Sequence, residues 1–122
     1  MSAGIPFYEE ESWELPAPPL FGTRMRTALL ILVAVLEQTY PAEISRYLGS
    51  TIPAVQRTLD KLEDEGLIAS RRLAVRDVKL NPNYPAFREL RSFLLRLSEG
   101  YPQYRLVKES RRTRPRRRGK PL

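Results

Sequence analysis

Residues 51–72, TIPAVQRTLDKLEDEGLIASRR, gather several side chains able to hydrogen-bond to nucleic acid within a short span. Gln56 can pair bidentately with an adenine edge and Arg57 with guanine or a phosphate, while Ala54 is small enough for a thymine methyl to approach. Thr51 and the free amides of the turn formed by Ile52, Pro53 and Ala54 suit a phosphate. Lys61 adds a cation one turn beyond Arg57. Arg71, Arg72 and Arg76 then flank what reads as a hairpin turn, and Arg46, slightly upstream, is a further phosphate candidate.

The charges on this stretch are graded. Gln56, Arg57 and Lys61 precede a cluster of acids, Glu63, Asp64 and Glu65, that also opposes the helix dipole. A helix laid whole along a phosphate backbone would bring those acids against like charge. One inserted by its N-terminal half would not, and that is how a recognition helix enters the major groove.

Those residues need elements to hold them. Thr51 is a good N-cap and Pro53 falls in a first turn, where its missing amide hydrogen costs little. Ile52, Val55, Leu59 and Leu62 recur at spacings of three and four, so they form a core-facing stripe on a recognition helix over residues 52–65, which Gly66 stops. A short helix from Pro41 to Leu48, ended by Gly49, precedes it, and the pair joined by Gly49-Ser50 is a helix-turn-helix signature. Residues 67–80, with LIAS and RDVKL as strands, read as a two-stranded hairpin whose tip lacks glycine and asparagine.

A first helix is expected over residues 23–38 and a last one over 86–98. Both carry more apolar residues than one buried face requires. In the first, Leu30, Ile31, Val33 and Val35 supplement the stripe of Met25, Leu29, Leu32 and Leu36; in the last, Phe93 widens the face of Phe87, Leu90, Leu94 and Leu97. That surplus predicts a homodimer through these two helices, two recognition helices then meeting a roughly palindromic site.

The 122 residues fit one domain with two flanking segments, residues 21–100 forming the folded part. Residues 1–20 hold four acids, no base and four prolines, the composition of an extended acidic arm. Residues 101–122 hold nine bases and one acid and read as a basic tail, with Arg111, Arg112, Arg114, Arg116, Arg117, Arg118 and Lys120 gathered in its compact cationic segment, residues 111–120. Such a tail adds salt-sensitive, non-specific affinity for a polyanion, or stays solvated, or meets the acidic arm.

Several chemistries are excluded by composition. With no cysteine and no histidine, there is no disulfide, thiolate metal site, cysteine nucleophile or histidine base. Glu43, Asp60, Glu63 and Asp77 have no recognisable ligand spacing, so the chain is read as a non-enzyme without cofactor or metal. The apolar run from Ala28 to Leu36 is about half of what a membrane span needs, and no secretory signal is visible, so a soluble cytoplasmic protein is expected.

From Leu20 to Leu97 the chain resembles the winged helix-turn-helix domains of arsenic-repressor-like (ArsR-type) transcription regulators. The resemblance rests on LFGTRMRTALLILVAVL, AEISRYLGSTIPAVQRTLDKLEDEGLI, SRRLAVRDVKLNP and NYPAFRELRSFLL, in that order. It implies a mainly α fold with a small β-hairpin, in the order α-α-α-β-β-α, that binds double-stranded DNA through the third helix and wing. The ligand cysteines and histidines of metal-sensing members are missing, so metal sensing does not carry over. The rival expectation is a winged-helix adaptor that makes mainly protein contacts, with non-specific nucleic-acid contacts through its tail.

Overall fold

The structure is a computed structural model and describes residues 14–113. Its first helix, α1 (Arg24–Leu36), begins at Thr23, whose hydroxyl accepts the Arg26 amide in an N-cap. It ends at Glu37, a non-glycine residue at φ 71° whose N–H returns to the Val33 carbonyl. Every residue from Thr27 to Leu36 is buried. The remaining elements pack around this helix: α2 (Pro41–Leu48), β2 (Arg76–Leu80), α4 (Phe87–Ser98) and α5 (Pro102–Thr113) all touch it.

The surplus of apolar residues on α1 is therefore used inside one chain. Leu30, Ile31 and Val33 are fully buried with no second copy present, so α1 leaves no open face for a dimer partner. Periodicity reports how many sides of a helix are covered, not which molecule covers them.

The helix-turn-helix consists of α2 and α3 (Ile52–Asp64), joined by Gly49, Ser50 and Thr51. Gly49 adopts the left-handed conformation, φ 69°, and its amide returns to Ser45. A side chain there would also collide with Glu14, whose Cγ lies 2.8 Å from the position a Cβ would take. Gly66, at φ 84°, ends the next turn, and Leu67 N–H closes back on the Leu62 carbonyl.

Strands β1 (Ile68–Arg72) and β2 pair antiparallel, from Ile68 opposite Leu80 to Arg72 opposite Arg76. The loop is Leu73, Ala74 and Val75, and none of the three has a positive φ. The wing is thus closed without the glycine or asparagine whose absence marked its tip in the sequence. Its outer edge is extended by Thr39, whose N–H and carbonyl both pair with Val78 at 2.9 Å. The corner between α1 and α2 is in this way stitched to the wing.

The fold continues on both sides of the 21–100 span. Leu15 is completely buried, the Leu15 carbonyl accepts from Arg24 at 2.9 Å, and the Pro16 carbonyl accepts from the Tyr104 hydroxyl at 2.8 Å. Helix α5 occupies the start of the expected basic tail. Pro102 opens it, and Tyr104 and Val107 are buried among the core residues of α1 and α4. Among the described residues no helix is long and apolar enough to cross a membrane.

Candidate nucleic-acid interface

Helix α3 is oriented by its apolar side: Val55, Leu59 and Leu62 are buried against the core. That places Arg57 and Lys61, one turn apart, on the exposed side. Neither side chain takes part in a hydrogen bond or ion pair among the described residues. They are two cations available to an external anion.

Ile52 departs from the expected stripe. It is 42% exposed, because it lies in the first turn where the chain has only just left Ser50 and the core begins at Val55. It joins exposed Thr51 and Pro53 as part of the outward-facing tip of the helix. The same turn offers fewer donors than its sequence suggested. Pro53 has no N–H, Thr51 Oγ1 accepts the Ala54 amide at 3.2 Å, and the Thr51 carbonyl accepts the Val55 amide at 3.0 Å. Only the Ile52 amide is left for a phosphate, so Thr51 serves first as the helix cap.

Arg76 is the largest correction. Expected as an exposed phosphate contact, it is buried, with its side chain 6% exposed, and it holds four partners at once. Its guanidinium donates to Gln56 Oε1 at 3.0 Å, Asp60 Oδ1 at 3.0 Å, Glu63 Oε1 at 2.8 Å and Ser70 Oγ at 3.2 Å. Arg76 therefore fixes the wing to α3 and cannot reach DNA without breaking that set. The acids on α3 thus have a second function: Asp60 and Glu63 hold the wing arginine.

The Arg76 bond also affects Gln56. With one lone pair of its amide oxygen already engaged, Gln56 keeps its two N–H donors for a base edge. It is positioned by Arg76 rather than free to rotate.

Arg71 and Arg72 remain exposed, with side chains 70% and 62% accessible. Their ion pairs are long: Arg71 lies 3.6 Å from Asp77, and Arg72 lies 3.7 Å from Asp60 and 3.5 Å from Glu63. Exposed pairs of this kind contribute about 0–1 kcal/mol and can be exchanged for a phosphate at little cost. Arg46 is half-buried on α2, its guanidinium 5.3 Å from the Tyr47 ring centre, and its buried Nη2 has no hydrogen-bond partner. The wing tip itself is apolar, with Leu73 58% and Val75 57% exposed.

Arg111, placed by sequence in the basic tail, is a structural residue on α5. It donates to the Leu36 carbonyl at 3.0 Å, to the Gln38 carbonyl, and to Glu43 Oε1 at 3.1 Å. Glu43, 3% exposed, also accepts from Thr39 Oγ1 at 2.6 Å. A buried carboxylate and the carbonyls that end α1 are thereby satisfied by one guanidinium. The spacing Tyr104, Val107, Arg111 was the signal for this helix, masked by the surrounding charge. The side chain of Arg112, and all of Arg114, Arg116, Arg117, Arg118 and Lys120, lie outside the described residues.

Residues 42–68, from α2 through α3, match the family model described as bacterial regulatory proteins, crp family. No curated protein matches the chain. Among solved structures, a double mutant of Lactococcus lactis ZitR in apo form is 22% identical, with a TM-score of 0.51 over 70% of this chain and 66% of that one. A single-site ZitR mutant is 22% identical, with a TM-score of 0.52 over 72% of this chain and 61% of that one. A further structure of the double mutant aligns over 92% of this chain and 77% of that one, at 19% identity and a TM-score of 0.51. The chain thus spans slightly under two-thirds of the first of these proteins. Together with the described geometry, these likenesses establish the winged helix-turn-helix fold, and the family-model match falls on its helix-turn-helix.

Proposed function

We propose that the protein is a sequence-specific duplex-DNA-binding transcription regulator, of the ArsR type that its sequence resembles, which inserts the N-terminal half of α3 into the major groove. The observation that carries this reading is the division of α3. Val55, Leu59 and Leu62 are locked in the core, while the Arg57 and Lys61 side chains stand exposed and without partners among the described residues. Ala54 and the Gln56 amide precede them in the first turns of the helix, with Arg71 and Arg72 on the adjoining wing. Base-edge donors flanked by cations on one face are what major-groove reading requires.

The test is a random-oligonucleotide selection followed by binding to the selected duplex. The Arg57→Glu variant should lose site-specific binding while keeping its fold, as judged by its thermal unfolding. Unchanged specific binding by that variant would sink the assignment.

One observation favours a second reading, that of an adaptor making protein contacts. The wing tip presents Leu73 and Val75 rather than charged or polar residues, and an exposed apolar pair suits a protein surface. A selection that yields no preferred duplex would support the adaptor.

A further inference from the structure

Gln56 and Arg76 meet where α3 touches the wing, and their contact decides which end of the Gln56 amide faces outward. A guanidinium donates through every N–H and offers no acceptor. The Gln56 atom held 3.0 Å from Arg76 Nη1 is therefore the amide oxygen, Oε1. The other guanidinium nitrogens are engaged elsewhere, Nε with Ser70 and Nη2 with Asp60 and Glu63. Gln56 is thus the acceptor that Nη1 has among the described residues. Turning the amide over would set N–H against N–H at an arginine side chain only 6% exposed, leaving that nitrogen short of an acceptor.

The consequence concerns the base that α3 can read. The bidentate pairing of glutamine with adenine uses both ends of the amide: Nε2 donates to N7 while Oε1 accepts from the N6 amino group. Here Oε1 faces the buried guanidinium, and Nε2 has no partner among the described residues. The end offered to a base edge is a donor. Guanine presents two adjacent acceptors in the major groove, N7 and O6, whereas adenine sets its amino group beside N7. A donor approaching that amino group meets another donor.

Resting on the duplex-DNA reading above, we propose that Gln56 selects a G·C pair rather than the A·T pair its residue type suggests, with Arg76 as the positioning residue that sets this choice. Asp60, Glu63 and Ser70 act one step further back, by holding the guanidinium to α3 and β1. The wing thus shapes what α3 reads without Arg76 itself touching the base.

A random-oligonucleotide selection with the full chain, repeated with Gln56→Ala, identifies the base pair that Gln56 faces as the one whose preference the change removes. That pair should be G·C, and an A·T pair in its place should weaken binding about 5- to 150-fold. Arg76→Lys and Arg76→Gln separate positioning from support of the fold. Both break the set of four partners, but lysine still only donates, whereas glutamine can donate or accept. Arg76→Lys should keep the G·C preference, and Arg76→Gln should admit A·T at that pair while neighbouring preferences stay as they were. Gln56→Glu decides the matter if neither Arg76 variant folds, as judged by thermal unfolding. It keeps an acceptor for Arg76 and offers the base an acceptor in place of a donor, so the preference should move from guanine to cytosine on the same strand.

A pair other than G·C at that position in the unaltered chain overturns the proposal. So does a preferred site left unchanged by Gln56→Ala, which would make Gln56 a support for Arg76 alone. Arg76→Gln with full discrimination, Arg76→Lys without it, or Gln56→Glu with guanine still preferred each overturns it as well. The reading of α3 survives all of these outcomes, because it is tested separately at Arg57. If the full chain selects no duplex, the proposed function itself fails, and this inference with it.

Discussion

Arg57 and Arg76 are the same residue type on adjoining elements, and their replacement should have opposite consequences. The Arg57 side chain is exposed and without a partner among the described residues, so Arg57→Ala should change stability by no more than about 0.5 kcal/mol and abolish tight duplex binding. Arg76→Ala strips Glu63, Asp60, Gln56 and Ser70 of a shared donor and should cost about 1–3 kcal/mol in urea denaturation. Tyr104 offers a pH test. Burial pushes its hydroxyl well above the usual range, with Tyr101 adding to the shift and Arg24 opposing it. The folded state therefore favours the neutral phenol, and its stabilisation is present below the unfolded value of about 10 and lost as pH rises beyond it. Thermal unfolding from pH 9 to 11 should show a steeper fall for the native chain than for Tyr104→Phe. At neutral pH that variant should be about 1 kcal/mol less stable, through loss of the bond to the Pro16 carbonyl.

At the scale of elements, the turn of the helix-turn-helix and α5 are the points most open to test. Gly49→Ala combines a left-handed backbone with a 2.8 Å approach to the Glu14 side chain, and should cost at least about 1 kcal/mol in thermal unfolding. The helix-turn-helix itself was readable because capping residues, first-turn prolines and terminal glycines all fall in phase with a period near 3.6. Helix α5 was not, because only Tyr104 and Val107 mark its buried side and the surrounding cations suggested a solvated tail. A chain stopped at Gly100 removes both from the core. Burial of such side chains contributes about 1.5–3 kcal/mol each, so this truncation should lower the free energy of unfolding by roughly 3–6 kcal/mol.

At the scale of the whole molecule, α1 is the post around which the fold is built, which changes where a second copy could pair. Its faces are covered within the chain, leaving α4 as the remaining candidate of the two helices. Phe93, 47% exposed and edge-on to Phe21 at 6.5 Å between ring centres, is the apolar residue α4 presents outward. If two copies pair there, sedimentation of the full chain should show a concentration-dependent dimer, and Phe93→Lys should return it to monomer. A dimer unaffected by that change must use another surface.

The sequence by itself determined the order of elements from α1 to α4, the helix-turn-helix and hairpin, and the outward position of Arg57 and Lys61. Each follows from local periodicity and end signals that act within a few residues. Tertiary structure alone decided which charges are free. Arg76 is claimed by Asp60 and Glu63 on α3, while Arg111 is claimed by Glu43 and the end of α1. A guanidinium out of water must take the nearest acceptors, and those are brought close only when distant segments pack together.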